Sequence, residues 1–269
     1  MRALLLSGGG LKGAFQVPVI EGLLGRNHYD AIYGISVGSL NGALAAQGDL
    51  DALRALWAGI DDAHPADGIS GFLAPVFPTK GLYSLRPCAA QIKKLVAPHR
   101  LKTVYGAGVT VRQLGEYRLL RFDTTSKADD LHDAMLGSSA IAGLMEPWPA
   151  AVGGRHVLLS DGGHVHAVPP PPVDATEIDV VLCNPIHRKH FATSEVDGLA
   201  EAVVWAIEVA LEAAQEGDLT ILRELRARGV SVTIYAPRDT FGGLLKADAA
   251  TIHSRIVEGR WALDNPHVL

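Results

Sequence analysis

Short apolar runs alternate with longer amphipathic stretches along most of the chain. Residues 3–6, 31–34, 108–112, 117–123, 157–159, 178–183 and 230–235 are rich in Leu, Ile, Val and Tyr and too short for helices, which predicts strands. Residues 14–24, 40–47, 49–58, 87–96, 129–136, 196–228 and 251–263 mostly place apolar residues at helical spacing. Alternation of this kind predicts an α/β fold, a three-layer α/β/α sandwich around a mostly parallel central sheet. At 269 residues the chain fits one domain, 1–269, with one large core.

Two stretches carry more than one reading. The helix at 196–215 shows little polar face, because Ala202, Val203, Ala206, Ile207, Val209, Ala210 and Leu211 dominate it; it packs on the sheet or touches lipid. Residues 66–87 contain Phe72, Leu73, Val76 and Phe77 among prolines and glycines, as expected either for a lid over an apolar site or for a long surface connection.

Composition narrows the partners. With 48% hydrophobic and 20% charged residues the chain is no disordered segment, and a formal charge of −5 with no basic run leaves no footprint for nucleic acid or for strong attraction to an anionic bilayer. The apolar start ends at Ser7, too early for a secretory signal, and no apolar run is long enough to span a membrane. Cys88 and Cys183 lie far apart in apolar surroundings and read as buried thiols of a reducing compartment, which makes the cytoplasm the expected location.

The chemistry concentrates at two turns. Ile32-Tyr33 runs into Gly34-Ile35-Ser36-Val37-Gly38, after which Ser39-Leu40-Asn41 opens a helix. In a strand-turn-helix setting the glycines Gly34 and Gly38 relieve crowding around a sharp turn that presents Ser36 as a nucleophile. The competing reading is a glycine-rich turn whose serine only caps the helix. Earlier, strand one ends in Ser7-Gly8-Gly9-Gly10-Leu11-Lys12-Gly13. Converging N–H groups there suit an oxyanion hole, but the same residues match the G-x-G-x-x-G dinucleotide fingerprint. A nucleophile turn directly after the next strand favours acyl transfer, since a nucleotide-binding domain has no use for it.

A serine needs a base. None of the eleven histidines stands out, whereas Leu158-Leu159-Ser160-Asp161-Gly162-Gly163 sets a carboxylate at a strand end, in what could also be an ordinary tight turn. Together, Gly8-Gly9-Gly10-Leu11-Lys12-Gly13, Gly34-Ile35-Ser36-Val37-Gly38 and Asp161-Gly162-Gly163 resemble the patatin-like phospholipase family. Lys80-Gly81-Leu82-Tyr83, Ser138-Ser139-Ala140-Ile141 and Val168-Pro169 look like further landmarks of it. The resemblance implies a patatin-like fold and a dyad of Ser36 and Asp161 with no catalytic histidine, metal or cofactor. It also implies an oxyanion hole from Gly8, Gly9 and Gly10, and a lipid or other acyl-ester substrate; it leaves room for a peripheral contact with a membrane surface.

His164 and His166-Ala167 depart from the family pattern and are expected as loop residues or as groups that tune the site. Lys12 is expected to meet either a substrate phosphate or a surface carboxylate. Two further functions stay open at this level: a nucleotide-binding oxidoreductase, and a relative that binds lipid without cleaving it.

Overall fold

The computed structural model describes residues 1–58, 74–75, 83–113, 116–124, 128–152, 154–187, 199–240, 242–245 and 248–269. Most of the stretch expected as a lid or surface connection, including Phe72, Leu73, Val76 and Phe77, lies outside the described residues, as do Lys80, Gly81 and Leu82.

Strands β1 (Arg2–Leu6), β2 (Ala31–Ile35), β3 (Ala74–Pro75), β4 (Tyr83–Ser84), β5 (Val104–Gln113), β6 (Glu116–Asp123), β7 (Trp148–Val152), β8 (Arg155–Asp161), β9 (Glu177–Val181), β10 (Ser231–Tyr235) and β11 (His267–Val268) alternate with helices. These are α1 (Gln16–Arg26), α2 (Val37–Gln47), α3 (Leu50–Ala58), α4 (Arg86–Leu95), α5 (Ala128–Ser138), α6 (Leu199–Ala227) and α7 (Ala249–Asp264). Among the described residues nine strands form one sheet in the order β11-β10-β9-β1-β2-β5-β8-β7, with β6 on the other edge of β5, while β3 and β4 pair separately. The central strands β10, β9, β1, β2 and β5 run parallel. The flanks are antiparallel.

The apolar run of β1 is continuous because both of its faces are covered. Ala3 and Leu5 pack with Ile178, Val180 and Leu219 and Leu222 of α6 on one face. Leu4 and Leu6 pack on the other face with Ile20 of α1, Leu44 of α2 and Met135 of α5. Each fully buried Leu contributes about 2 kcal/mol relative to exposure, so the centre of the sheet is strongly held and its carboxyl rim forms a rigid platform.

Strand β7 escapes the sequence pattern. Its five residues include Pro149, which argues against a strand, but β7 is the last strand at its end of the sheet, where a missing N–H is tolerated. Strand β5 begins at Val104, four residues before the expected start, and α2 begins directly after Ser36.

Candidate active site

Ser36 joins β2 to α2 with φ 55° and ψ −129°, and it alone among the described non-glycine residues has positive φ. Such a conformation costs about 1–3 kcal/mol and persists only where the surroundings enforce it. Here close packing enforces it: a Cβ on Gly34 would lie 2.1 Å from the Gly38 carbonyl oxygen, and one on Gly38 would lie 2.4 Å from that of Leu6. The two glycines let the elbow press onto the end of β1. Ser36 caps no helical N–H with its side chain, so the hydroxyl is free of the capping role that the sequence left open.

Asp161 ends β8 and is 4% exposed, against 5% for Ser36. Its Oδ1 accepts the Gly163 N–H at 2.7 Å. Burial pushes the carboxyl above its ordinary range, opposed by hydrogen bonding with Ser36, by the nearby His164 and by the Gly163 amide. A carboxylate made more basic by desolvation is what proton abstraction from a serine requires.

The sheet explains why residues 125 positions apart in sequence meet. Along one edge of β5, β2 pairs in parallel as far as Ile35 opposite Gly108, and β8 pairs antiparallel from Asp161 opposite Val109. Strand β6 fills the other edge of β5. The carboxyl ends of β2 and β8 therefore run head-on into each other.

The glycine turn after β1 lies alongside. Gly9, Gly10, Ser36, Asp161, Gly163 and His164 line one small cavity, closed by Ile141, Ile207, Leu211 and Leu244. Its volume of about 10 Å³ is room for about one water. Gly8 does not serve as expected: its N–H donates to the Ala167 carbonyl at 2.9 Å, which removes it as an oxyanion donor. The Gly9 and Gly10 amides make no hydrogen bond to another described residue, and both residues line the cavity.

Of the two partners expected for Lys12, a substrate phosphate or a surface carboxylate, the structure shows a carboxylate, and a largely buried one. Lys12 is 2% exposed, and its Nζ donates to Asn184 Oδ1 and Glu208 Oε1, both at 3.1 Å. Glu208, on α6, also accepts the Leu244 N–H at 2.9 Å. The pair thus fastens α6 and the wall residue Leu244 to the glycine turn. Arg255, fully buried on α7, donates to the Leu11 carbonyl at 2.8 Å, and burial lowers its guanidinium to about 10.

The two histidines have separate surroundings. His164 Nε2 accepts the Ala142 N–H at 2.9 Å. His166 turns away and binds Asp218 of α6 through Nδ1 at 2.5 Å, while the other Asp218 oxygen accepts the Val168 N–H at 2.8 Å. Cys183 is buried, its thiol pushed up to about 12 by burial, and the Cys88 side chain lies outside the described residues.

Sequence reasoning missed the supports. Gln16 donates to the Ser7 carbonyl at 3.0 Å, Asn41 donates to Gln16 at 2.9 Å and to the Gly13 carbonyl at 3.1 Å, and Trp57 donates to Asn41 at 3.0 Å. This buried network ties the glycine turn to α1, α2 and α3. Its signal was a pair of amides on otherwise apolar helix faces. Ser138, noticed only as a landmark, accepts the Ser36 N–H at 2.7 Å.

Among the described residues no helix is long and apolar enough to cross a membrane, and no three His, Cys, Asp or Glu side chains gather as a metal site. No curated protein matches the sequence. Twelve solved chains match the structure. One is the crystal structure of VipD from Legionella pneumophila, with a TM-score of 0.49 at 13% identity, covering 100% of this chain and 68% of that one. The family model described as patatin-like phospholipase matches residues 4–174, well over half of the chain. That match displaces the dinucleotide reading of the first glycine turn and brings lipid acyl hydrolysis as the general activity: the chain belongs to the patatin-like phospholipase family.

Proposed function

We propose that the protein is a serine acyl-ester hydrolase of lipids, of the phospholipase A, lysophospholipase or esterase type, working through Ser36 and Asp161. One observation carries the reading: a strained serine elbow, a buried carboxylate of raised basicity and two glycines whose amides have no partner among the described residues line one cavity.

Asp161 takes the hydroxyl proton as Ser36 Oγ attacks the ester carbonyl. The Gly9 and Gly10 amides receive the oxyanion, and stabilisation of this kind is worth about 10²–10³ in rate per donor. The tetrahedral intermediate collapses, the alcohol leaves with the proton from Asp161, and an acyl-Ser36 ester remains. Water, deprotonated by Asp161, then releases the acid and restores the hydroxyl. The low exposure of both side chains supports the role of the carboxylate, because desolvation is what raises its affinity for the proton. Lys12 stays outside this scheme: a lipid phosphate would have to displace Glu208 from it.

A cytoplasmic location and a peripheral contact with lipid surfaces belong to the proposal on the strength of the sequence alone. Hydrolysis of p-nitrophenyl esters and phospholipids by wild type, Ser36→Ala and Asp161→Asn in parallel tests it. Wild type alone should turn over; a wild type inert on every ester sinks the reading.

A further inference from the structure

We propose that Ser138 is a positioning residue for the nucleophile, its hydroxyl carrying the β2–β5 ladder one step beyond the end of β2 and so fixing Ser36 relative to Asp161. The proposal rests on the hydrolase reading above.

Regular pairing of β2 with β5 stops at Ile35 opposite Gly108, because the next residue, Ser36, turns away at φ 55°. The turn takes the Ser36 N–H and the Gly108 carbonyl out of the ladder inside a buried region. Each would cost about 1–3 kcal/mol if left unpaired. The Ser138 hydroxyl resolves both at once: it accepts the Ser36 N–H at 2.7 Å and donates to the Gly108 carbonyl at 2.7 Å. Ser138 is 0% exposed, so no water competes for either bond.

The same short segment also holds the base. Two residues on, the Ala140 carbonyl accepts the Asp161 N–H and the Ser160 hydroxyl, each at 2.9 Å. Val109, opposite Asp161, directly follows Gly108. Residues 138–140 therefore span the junction where β5 changes partner from β2 to β8, with a hydroxyl on the nucleophile side and a carbonyl on the base side. Without the hydroxyl, the Ser36 amide has reason to swing toward another acceptor, and the Ser36 side chain turns with it. A misplacement near 1 Å at a reacting group costs about 10²-fold in rate.

Ser139 supplies an internal control. Its hydroxyl donates at 3.0 Å to the Met135 carbonyl of α5, the helix it directly follows, a local bond that touches neither candidate catalytic residue.

The test compares wild type, Ser138→Ala, Ser138→Cys and Ser139→Ala for the rate of fluorophosphonate labelling at Ser36 and for kcat and KM on a soluble p-nitrophenyl ester. Ser138→Ala should slow both labelling and kcat by about 10–100-fold, with KM within about twofold of wild type. Ser138→Cys should fall between, since a thiol is a weaker donor and acceptor. Ser139→Ala should match wild type. A cooperatively folded Ser138→Ala that labels at the wild-type rate overturns the proposal, as does a Ser139→Ala slowed equally. If Ser138→Ala does not fold, Ser138→Cys decides, and labelling at the wild-type rate is the contrary result. A wild type that neither labels nor hydrolyses is a separate outcome: it removes the hydrolase reading, and this proposal with it.

Discussion

Ser36 and Asp161 follow consecutive places on one strand edge: Ile35 pairs with Gly108, and Asp161 pairs with Val109. The two carboxyl ends meet because β2 is parallel and β8 antiparallel to β5. Their proximity is a property of the sheet and does not depend on a flexible loop.

That placement has a thermodynamic consequence at Asp161. Burial raises its carboxyl above the ordinary range, so the folded protein holds the proton to higher pH than the unfolded chain does. Stability from this group is present at low pH and lost as pH rises through the raised value. Asp161→Asn is therefore expected to be inactive yet more stable than wild type at neutral pH, the gap closing on acidification below the ordinary carboxylate range. Thermal unfolding across pH measures it, and a variant less stable than wild type at pH 7 contradicts it.

Strain at Ser36 gives a second expectation. Ser36→Ala and Ser36→Gly both lose the nucleophile, but only glycine is at ease at φ 55°. Ser36→Gly should exceed Ser36→Ala in stability by about 1–2 kcal/mol in denaturant unfolding. Equal midpoints would mean that the elbow carries no strain.

At Gly38 the opposite sign is expected. An added methyl meets the Leu6 and Ser7 carbonyl oxygens at 2.4 and 2.7 Å, backbone that cannot retreat without moving β1. Gly38→Ala should destabilise by at least about 2 kcal/mol and cut kcat by about 10²-fold. Wild-type turnover in this variant would show that the elbow tolerates displacement.

Lys12 and Glu208 form a pair with side chains 3% and 14% exposed. Removing one partner strands the other, so Lys12→Met should cost about 3–5 kcal/mol. Adding Glu208→Leu should recover part of that loss, and double-mutant-cycle unfolding reads the coupling. Strictly additive losses would refute the pairing.

His166 is raised above its ordinary value, first by its hydrogen bond to Asp218. The strap it forms should stabilise fully below the unfolded histidine value near 6.5 and weaken as pH rises through the folded one. The gap in Tm between wild type and His166→Ala is thus expected to be wider at pH 6 than at pH 9; a gap that widens toward pH 9 has the wrong sign.

The central strands were legible because apolar runs buried on both faces leave an unmistakable pattern, and the elbow because its two glycines and its serine fall within five consecutive residues after a strand. Strand β7 was not, since Pro149 reads as a breaker and only the sheet order reveals an edge. For Lys12 the sequence left a phosphate and a carboxylate both open, because the carboxylate it meets lies 196 residues away on α6. Gly8 could not be told from Gly9 and Gly10 in sequence, as the Ala167 carbonyl that takes its N–H comes from the far side of the chain. Sequence motifs mark residue types at turns; which amide is free is decided by long-range contacts.

The most direct test of the Ser36–Asp161 assignment is rapid-quench peptide mass spectrometry after mixing with an activated acyl ester. The expected result is an acyl group on the Ser36 peptide of wild type, none on Ser36→Ala, and acylation of Asp161→Asn slower by at least about 10²-fold. Acyl transfer to another residue, or Asp161→Asn acylating as fast as wild type, would contradict it.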